Sequence, residues 1–97
     1  MRNRQKDEIM RDILHSAKDG LGITRIMFHA YLTHNQAKEY IQALMNSELL
    51  KLDVESGSLK RYSTTPKGLE YLNAAEDISR LLSINTRRAV KATGFLF

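Results

Sequence analysis

Three features of the sequence predict a mainly helical α+β fold of the winged helix-turn-helix class. Apolar residues recur with a helical period as far as Asn46, and the period then changes to two, which is typical of strands. A short helix and a well-capped helix are separated by a tight turn, which is the helix-turn-helix arrangement. A last helical pattern follows the strands. Three helices, a β-hairpin wing and a C-terminal helix in this order make up the class.

The first two helices are predicted from the spacing of their apolar residues. A helix from about Arg4 to Lys18, stopped at Asp19-Gly20, has one apolar face made of Ile9, Met10, Ile13, Leu14 and Ala17. A second, shorter helix is predicted with Thr24 as its N-cap. Its apolar positions are Ile26, Met27, Ala30 and Tyr31, and the turn at Leu32-Thr33 separates it from the third helix.

The third helix carries the strongest local signal. Thr33 and Gln36 have the spacing of a capping box, in which each side chain accepts a hydrogen bond from the other residue's backbone N–H, so the helix should begin at His34. One narrow stripe is apolar and is expected to face the core: Ala37, Ile41 and Leu44. The outer face holds His34, Asn35, Lys38, Glu39, Gln42 and Asn46. A helix made to lie in a DNA groove would have such a face.

A β-hairpin and a fourth helix follow. Leu50, Leu52 and Val54 alternate with polar residues, and a second strand pattern begins at Leu59 after a tip at Ser56-Gly57. Thr65-Pro66 supplies a cap and a proline at the first helical position. The last helix has apolar positions at Leu69, Leu72, Ala75, Ile78 and Leu82.

The division of the chain follows from these elements. Residues 1–65 form the winged domain, residues 66–84 a C-terminal dimerisation helix, and residues 85–97 a basic tail. Asn85-Thr86 has poor helix propensity, yet a short heptad register would allow the helix to continue to residue 92. The predicted dimer interface consists of Tyr71, Ala75, Ile78, Leu81 and Leu82. Leu69 and Leu72 are expected to be used against the winged domain.

Composition narrows the class of protein. The 97 residues, 42% of them hydrophobic, allow one small domain with a modest core. The net charge of +4 is concentrated in residues 1–6, 51–68 and 84–97, which favours a polyanionic partner. The chain contains no cysteine, which excludes disulfides and thiolate metal sites. No transmembrane or signal segment is recognisable, so we expect a cytoplasmic, nucleoid-associated protein and no membrane partner.

Several polar and basic residues are candidates for contact with DNA. On the third helix they are His34, Asn35, Gln36, Lys38 and Gln42, because amide and amino groups can bond base edges or phosphates. On the wing and flanking segments they are Arg25, Lys60, Arg61, Arg2 and Arg4. A solvated polar face is the plainer explanation of the third helix, and a surface salt bridge explains Arg25 equally well. At least one of Lys60 and Arg61 must point outward, because neighbouring strand residues face opposite sides.

Enzymatic interpretations find little support. The three histidines, His15, His29 and His34, lack the spacing and acidic company of a helical metal site. Gly20-Leu21-Gly22 begins like a dinucleotide-binding motif, but Arg25 stands at the third glycine position and no strand precedes it. We therefore predict no catalytic residues, no metal, no cofactor and no small-molecule substrate.

Four segments resemble the small dimeric winged-helix DNA-binding and chromatin proteins of archaea, the ten-kilodalton class. They are Gly22-Ile23-Thr24-Arg25-Ile26-Met27, Tyr40-Ile41 with Leu44, Ser47-Glu48-Leu49-Leu50, and Tyr62-Ser63-Thr64-Thr65-Pro66-Lys67-Gly68. The resemblance implies a third helix in the major groove, a wing on a flanking groove or the backbone, and C-terminal helices paired in an antiparallel coiled coil. Thr64 replaces the family's usual apolar residue, which predicts a looser seat for the wing.

The sequence therefore predicts a homodimer that binds double-stranded DNA as a transcriptional regulator or chromatin component. A winged helix used as a protein-interaction adaptor is the leading alternative, since the fold alone does not decide its use. A predominantly RNA-binding role is a third possibility, because phosphate neutralisation does not distinguish the two polymers.

Overall fold

The computed structural model describes the backbone of residues 5–57 and 59–93 and the side chains as far as residue 82. Its order of elements confirms the predicted winged helix-turn-helix fold. The elements are α1 (Lys6–Ser16), α2 (Ile23–Ala30), α3 (His34–Asn46), β1 (Leu50–Ser56), β2 (Leu59–Thr64) and α4 (Pro66–Thr93). Among the described residues, none of the helices combines the length and the apolar character that spanning a membrane would require.

The core lies where α1, α2 and α3 meet the base of the wing and the first turns of α4. Its buried members are Ile13, Leu14, Ala17, Ile26, Ala30, Ile41, Leu44, Leu50 and Leu72. Ala37 is also buried, so the predicted inner stripe of α3 is confirmed. Two expectations were wrong. Leu69 was expected to pack on the winged domain, but it lies on the flank of α4 and is 41% exposed. Tyr31 was expected on the apolar face of α2, but it follows the last residue of that helix and is 85% exposed.

The start of α2 differs from the prediction. The helix begins at Ile23 with Gly22 as its N-cap, and Thr24 is an exposed helical residue instead of the cap. The reason is tertiary: Leu21 exchanges two backbone hydrogen bonds with Tyr62 of the wing, at 2.9 and 2.8 Å. This bridge holds the chain extended up to Gly22 and allows the helix to begin immediately afterwards.

The capping box at the start of α3 is confirmed. The Gln36 backbone N–H donates to Thr33 Oγ1 at 3.2 Å, and the Thr33 N–H donates to Gln36 Oε1 at 3.0 Å. Two otherwise orphaned backbone donors are satisfied reciprocally, so the first turn of α3 is held in place by its own sequence.

The wing is an antiparallel hairpin with one irregularity. Leu52 lies opposite Tyr62 and Val54 lies opposite Arg61, so Asp53 is an extra residue on β1, as in a β-bulge. Thr64, at the base of the wing, is buried, and its hydroxyl donates to the Leu14 carbonyl at 2.7 Å. The predicted loosening is therefore wrong, because this bond satisfies the buried hydroxyl and ties the wing to α1.

Thr65 connects the start of α4 to the loop after α3. Its Oγ1 accepts from the Gly68 N–H at 3.0 Å, which confirms the predicted cap, and donates to the Glu48 carbonyl at 2.6 Å. The Thr65 backbone N–H donates to the Leu49 carbonyl at 3.0 Å. These three bonds fix the point at which α4 leaves the winged domain.

The fourth helix is long and projects from the domain. It runs for 28 residues and passes Asn85-Thr86 without a break, so of the two possibilities that the sequence left open the helix takes the longer one. Each poor helix former costs at most about 0.7 kcal/mol, which its neighbours can offset. The radius of gyration is 16.3 Å. A compact chain of this length would have about 12.5 Å, so the molecule is elongated.

Gly68→Ala is expected to lower the free energy of unfolding by about 1–3 kcal/mol, which is typical of overpacking. A Cβ at Gly68 would overlap the Leu49 carbonyl oxygen and would lie 2.6 Å from Thr64 Cγ2. Chemical denaturation measures the loss. Asn73→Ala, on the exposed side of the same helix, is the control and should keep or slightly raise the free energy of unfolding, by at most about 0.7 kcal/mol, because Ala is the better helix former. Equal stability of Gly68→Ala and the wild type would contradict this tight contact between α4 and the loop before β1.

Candidate nucleic-acid interface

The outer face of α3 is exposed, as predicted. His34, Asn35 and Lys38 are exposed, and among the described residues none of these side chains has an internal hydrogen bond or ion pair. Gln36 is different, because its Oε1 already accepts a hydrogen bond in the capping box. Gln42 Nε2 donates to Asn46 Oδ1 at 3.0 Å on the same helix face. His34, Asn35 and Lys38 are therefore the most available to a partner.

A cleft of about 240 Å³ separates α3 from the wing, and we call it the α3–wing cleft. It is lined by Ile23, Lys38, Ile41, Gln42, Met45, Leu52, Lys60 and Tyr62. Lys38 from the helix and Lys60 from β2 thus contribute to one surface. Both lysines were predicted from the sequence as separate DNA contacts. Their position on one surface was not predicted, because only the tertiary fold places β2 beside α3.

Arg61 faces away from this cleft. Its neighbour Lys60 lines the cleft, and successive strand residues point to opposite faces. Arg61 Nη2 lies 3.5 Å from Asp53 Oδ2 on the bulge, and its guanidinium lies against Gly20. A Cβ at Gly20 would be 2.6 Å from Arg61 Nε. Arg61 therefore connects the wing to the loop before α2. The ion pair is half exposed and contributes little by itself.

The remaining basic candidates divide between two regions. Arg25 is exposed in the first turn of α2, where backbone N–H groups favour an anion. Arg2 and Arg4 lie outside the described residues. Only Arg25 therefore has a position that can be compared with α3 and the wing.

The predicted dimer surface is exposed at its far end. Ile78, Leu81 and Leu82 are 58%, 60% and 60% exposed. Tyr71 and Ala75 are half-buried, and Tyr71 packs against the core of its own chain. The predicted interface therefore consists of an apolar end on the projecting helix and a beginning that its own domain already covers in part.

Two further observations concern the contact between α1 and α4 and the residue types that can bind metal ions. His15 Nε2 lies 3.3 Å from Glu76 Oε2, which joins α1 to the flank of α4. Within the described part of the chain, no three metal-ligating side chains come together in a way that would hold an ion.

Comparison with solved structures places this geometry among known proteins. Sso10a-2 of Sulfolobus solfataricus, described as a DNA-binding protein, matches with a TM-score of 0.81 and 26% identity over 94% of this chain and 95% of its own. The transcriptional regulator BldR of the same organism matches with a TM-score of 0.72 and 17% identity over 90% and 65%. MepR of S. aureus, solved in complex with DNA, matches with a TM-score of 0.70 and 16% identity over 93% and 76%.

Of two sequence comparisons, one identifies the family of the chain. No match was found among curated protein sequences. A family model described as winged helix-turn-helix matches residues 3–83. This match extends from before α1 into α4 and covers most of the 97 residues, so the chain belongs to the winged helix-turn-helix family.

Proposed function

We propose that the protein binds double-stranded DNA through α3 and the wing and acts as a transcriptional regulator or chromatin component. The observation that carries the proposal is the α3–wing cleft, where Lys38 and Lys60 from two different elements offer cations to one continuous surface. A duplex is a continuous polyanion that can occupy such a surface. The similarity to Sso10a-2 over nearly its full length supports this choice.

The side chains would divide the work by their chemistry. Asn35 and His34, in the first turn of α3, would meet base edges in the major groove, where an Asn amide pairs with adenine. Lys38, Lys60 and Arg25 would bind phosphates and set the register. Gln36 would offer mainly its Nε2 group, because its oxygen serves the cap. Arg61 would position the wing instead of touching DNA.

The same proposal includes the assembly. Two chains would pair through α4, with Ile78, Leu81 and Leu82 buried between them, while residues 1–65 form the DNA-binding unit and the helix after residue 66 joins the pair. Such a protein would work on the chromosome in the cytoplasm, as a binding protein and not an enzyme. The exposure of all three side chains supports this arrangement.

Duplex binding should weaken steeply with salt, because each neutralised phosphate contributes about 0.9 to the slope of log affinity against log salt concentration. A dimer making about four to eight contacts is expected to show a slope of about −4 to −7. Fluorescence anisotropy with a labelled duplex measures this slope, and single-stranded DNA and RNA serve as competitors. A slope near zero, or no binding at low salt, favours a protein adaptor, and stronger competition by RNA favours an RNA-binding role.

A further inference from the structure

The outer side of α2 carries two aromatic rings that the core does not use. Phe28 is 78% exposed and Tyr31 is 85% exposed. With Met27 and Leu32 they line an open groove of about 600 Å³, which also has Thr24 and Arg25 in its lining. We call this surface the α2 groove. A large exposed apolar patch beside a polar rim is typical of an interaction site.

The backbone at Tyr31 gives a second, independent observation. Tyr31 follows α2 in the left-handed conformation, with φ 56° and ψ 52°. Glycine is the usual residue at such a helix end, since a side chain there costs roughly 1–2 kcal/mol. The largely exposed ring recovers little of this cost by burial. Backbone strain of this kind is typical of functional positions, and here it holds a largely exposed ring at the groove.

The composition of the groove favours a protein partner over a duplex. Tyr, Phe, Met and Arg are the residues enriched at the centres of protein interfaces, and the groove contains all four types. Interfaces with DNA are more polar and more positively charged. The groove is mainly apolar and has a single full cation, Arg25, in its lining. A duplex would leave the two rings without suitable contacts.

The charges on and around the α2 groove favour an acidic partner. No Asp or Glu occurs from Gly20 to Lys38, whereas Arg25 lies in the groove lining itself. A second copy would bring the same cation to the interface, which is unfavourable. We propose that the α2 groove docks an acidic amphipathic segment of another protein, with its apolar side chains on Phe28 and Tyr31 and a carboxylate on Arg25. This activity lies beyond DNA binding; because Arg25 is assigned to both ligands, a docked acidic segment and a duplex would compete for that side chain.

The test uses a labelled synthetic amphipathic peptide with Leu and Phe on one helical face and Asp and Glu elsewhere, together with a version in which Lys replaces every acid. Anisotropy with the full-length protein should show the acidic peptide binding at least about tenfold more tightly than the basic one. Tyr31→Gly and Phe28→Ser should each weaken the acidic peptide by about tenfold, which is the size expected for a hot-spot residue.

Controls separate docking from folding. Tyr31→Gly should keep or raise the thermal midpoint, because it removes the left-handed strain, so its loss of binding cannot be ascribed to unfolding. Leu59→Ser removes a side chain that is 72% exposed on the wing and should leave peptide affinity unchanged. Amide shifts in nuclear magnetic resonance spectra should concentrate in residues 24–32.

Four results would overturn the proposal. The acidic peptide fails to bind, or the two peptides bind equally. Both groove variants bind the acidic peptide like the wild type. Tyr31→Gly weakens duplex binding but not peptide binding, which would assign the groove to the DNA interface. Phe28→Ser lowers the assembly mass in sedimentation, which would make the groove a contact between copies.

Discussion

Replacing Ile78 and Leu82 by aspartate is expected to make the protein monomeric and to weaken its duplex binding by about a hundredfold or more. Both side chains are more than half exposed on the projecting part of α4. Burying an apolar side chain contributes about 1.5–3 kcal/mol, so the four copies in a dimer contribute about 6–12 kcal/mol. A micromolar dissociation constant corresponds to about 8.2 kcal/mol of binding free energy. Aspartates in the interface would remove the contribution of the apolar side chains.

The effect on DNA follows from linkage of two binding units. A dimer that holds both units on one duplex gains about 10²–10⁴ in avidity from effective concentration, and a monomer loses this gain. Sedimentation measures the assembly separately from anisotropy on DNA. Asn73→Asp introduces a carboxylate on the opposite side of α4 without breaking the Arg80–Asp77 ion pair, and should leave the dimer intact. A monomeric wild type at tens of micromolar, or an Ile78 and Leu82 variant that remains dimeric, would remove α4 from the interface.

Lys38→Ala with Lys60→Ala is expected to lower duplex affinity by about a hundred- to a thousandfold at 0.1 M salt. Four lysines are removed from a dimer, and at about 0.9 each the salt slope should become shallower by about 3.6. The reason is structural: both side chains line the α3–wing cleft, so the two substitutions remove both lysines from the surface proposed to bind phosphates.

Matched variants make this result specific. Lys18→Ala with Lys67→Ala removes the same number of exposed charges from other surfaces and should have a much smaller effect on the salt slope. Arg61→Ala should change affinity by less than about threefold, because Arg61 faces Asp53 and Gly20. If the cleft variant keeps its helical circular dichroism and its salt slope, the lysines do not bind phosphate.

Features that depend on a few neighbouring residues were predictable from the sequence. The capping box at Thr33 and Gln36 needs only four residues, and both of its hydrogen bonds are present. Thr65-Pro66 marked the start of α4 for the same reason. The change of period after Asn46 located the wing because strand and helix place side chains differently. Element order and the inner face of α3 followed from such local signals.

Features that depend on distant parts of the chain were not predictable. The joint cleft of Lys38 and Lys60 requires β2 to lie beside α3, and the direction of Arg61 requires Gly20 to lie under the wing. Thr64 illustrates the same limit, since its hydroxyl is satisfied by Leu14, which is remote in sequence. Tyr31 was misassigned because apolar spacing cannot reveal that a residue has left the helix.

The hydrogen bonds of Thr65 have a consequence for the distance between two DNA half-sites. They fix the start of α4 to the segment that leaves α3, at Glu48 and Leu49. In a dimer joined through α4, the distance along this helix from Thr65 to the paired side chains would then set the separation of the two α3 helices. Inserting seven residues between Asn73 and Ile78 adds about two turns and moves the paired side chains about 10.5 Å farther from each winged domain. The preferred spacing of half-sites should therefore shift in register with the inserted turns, while each half-site keeps its sequence.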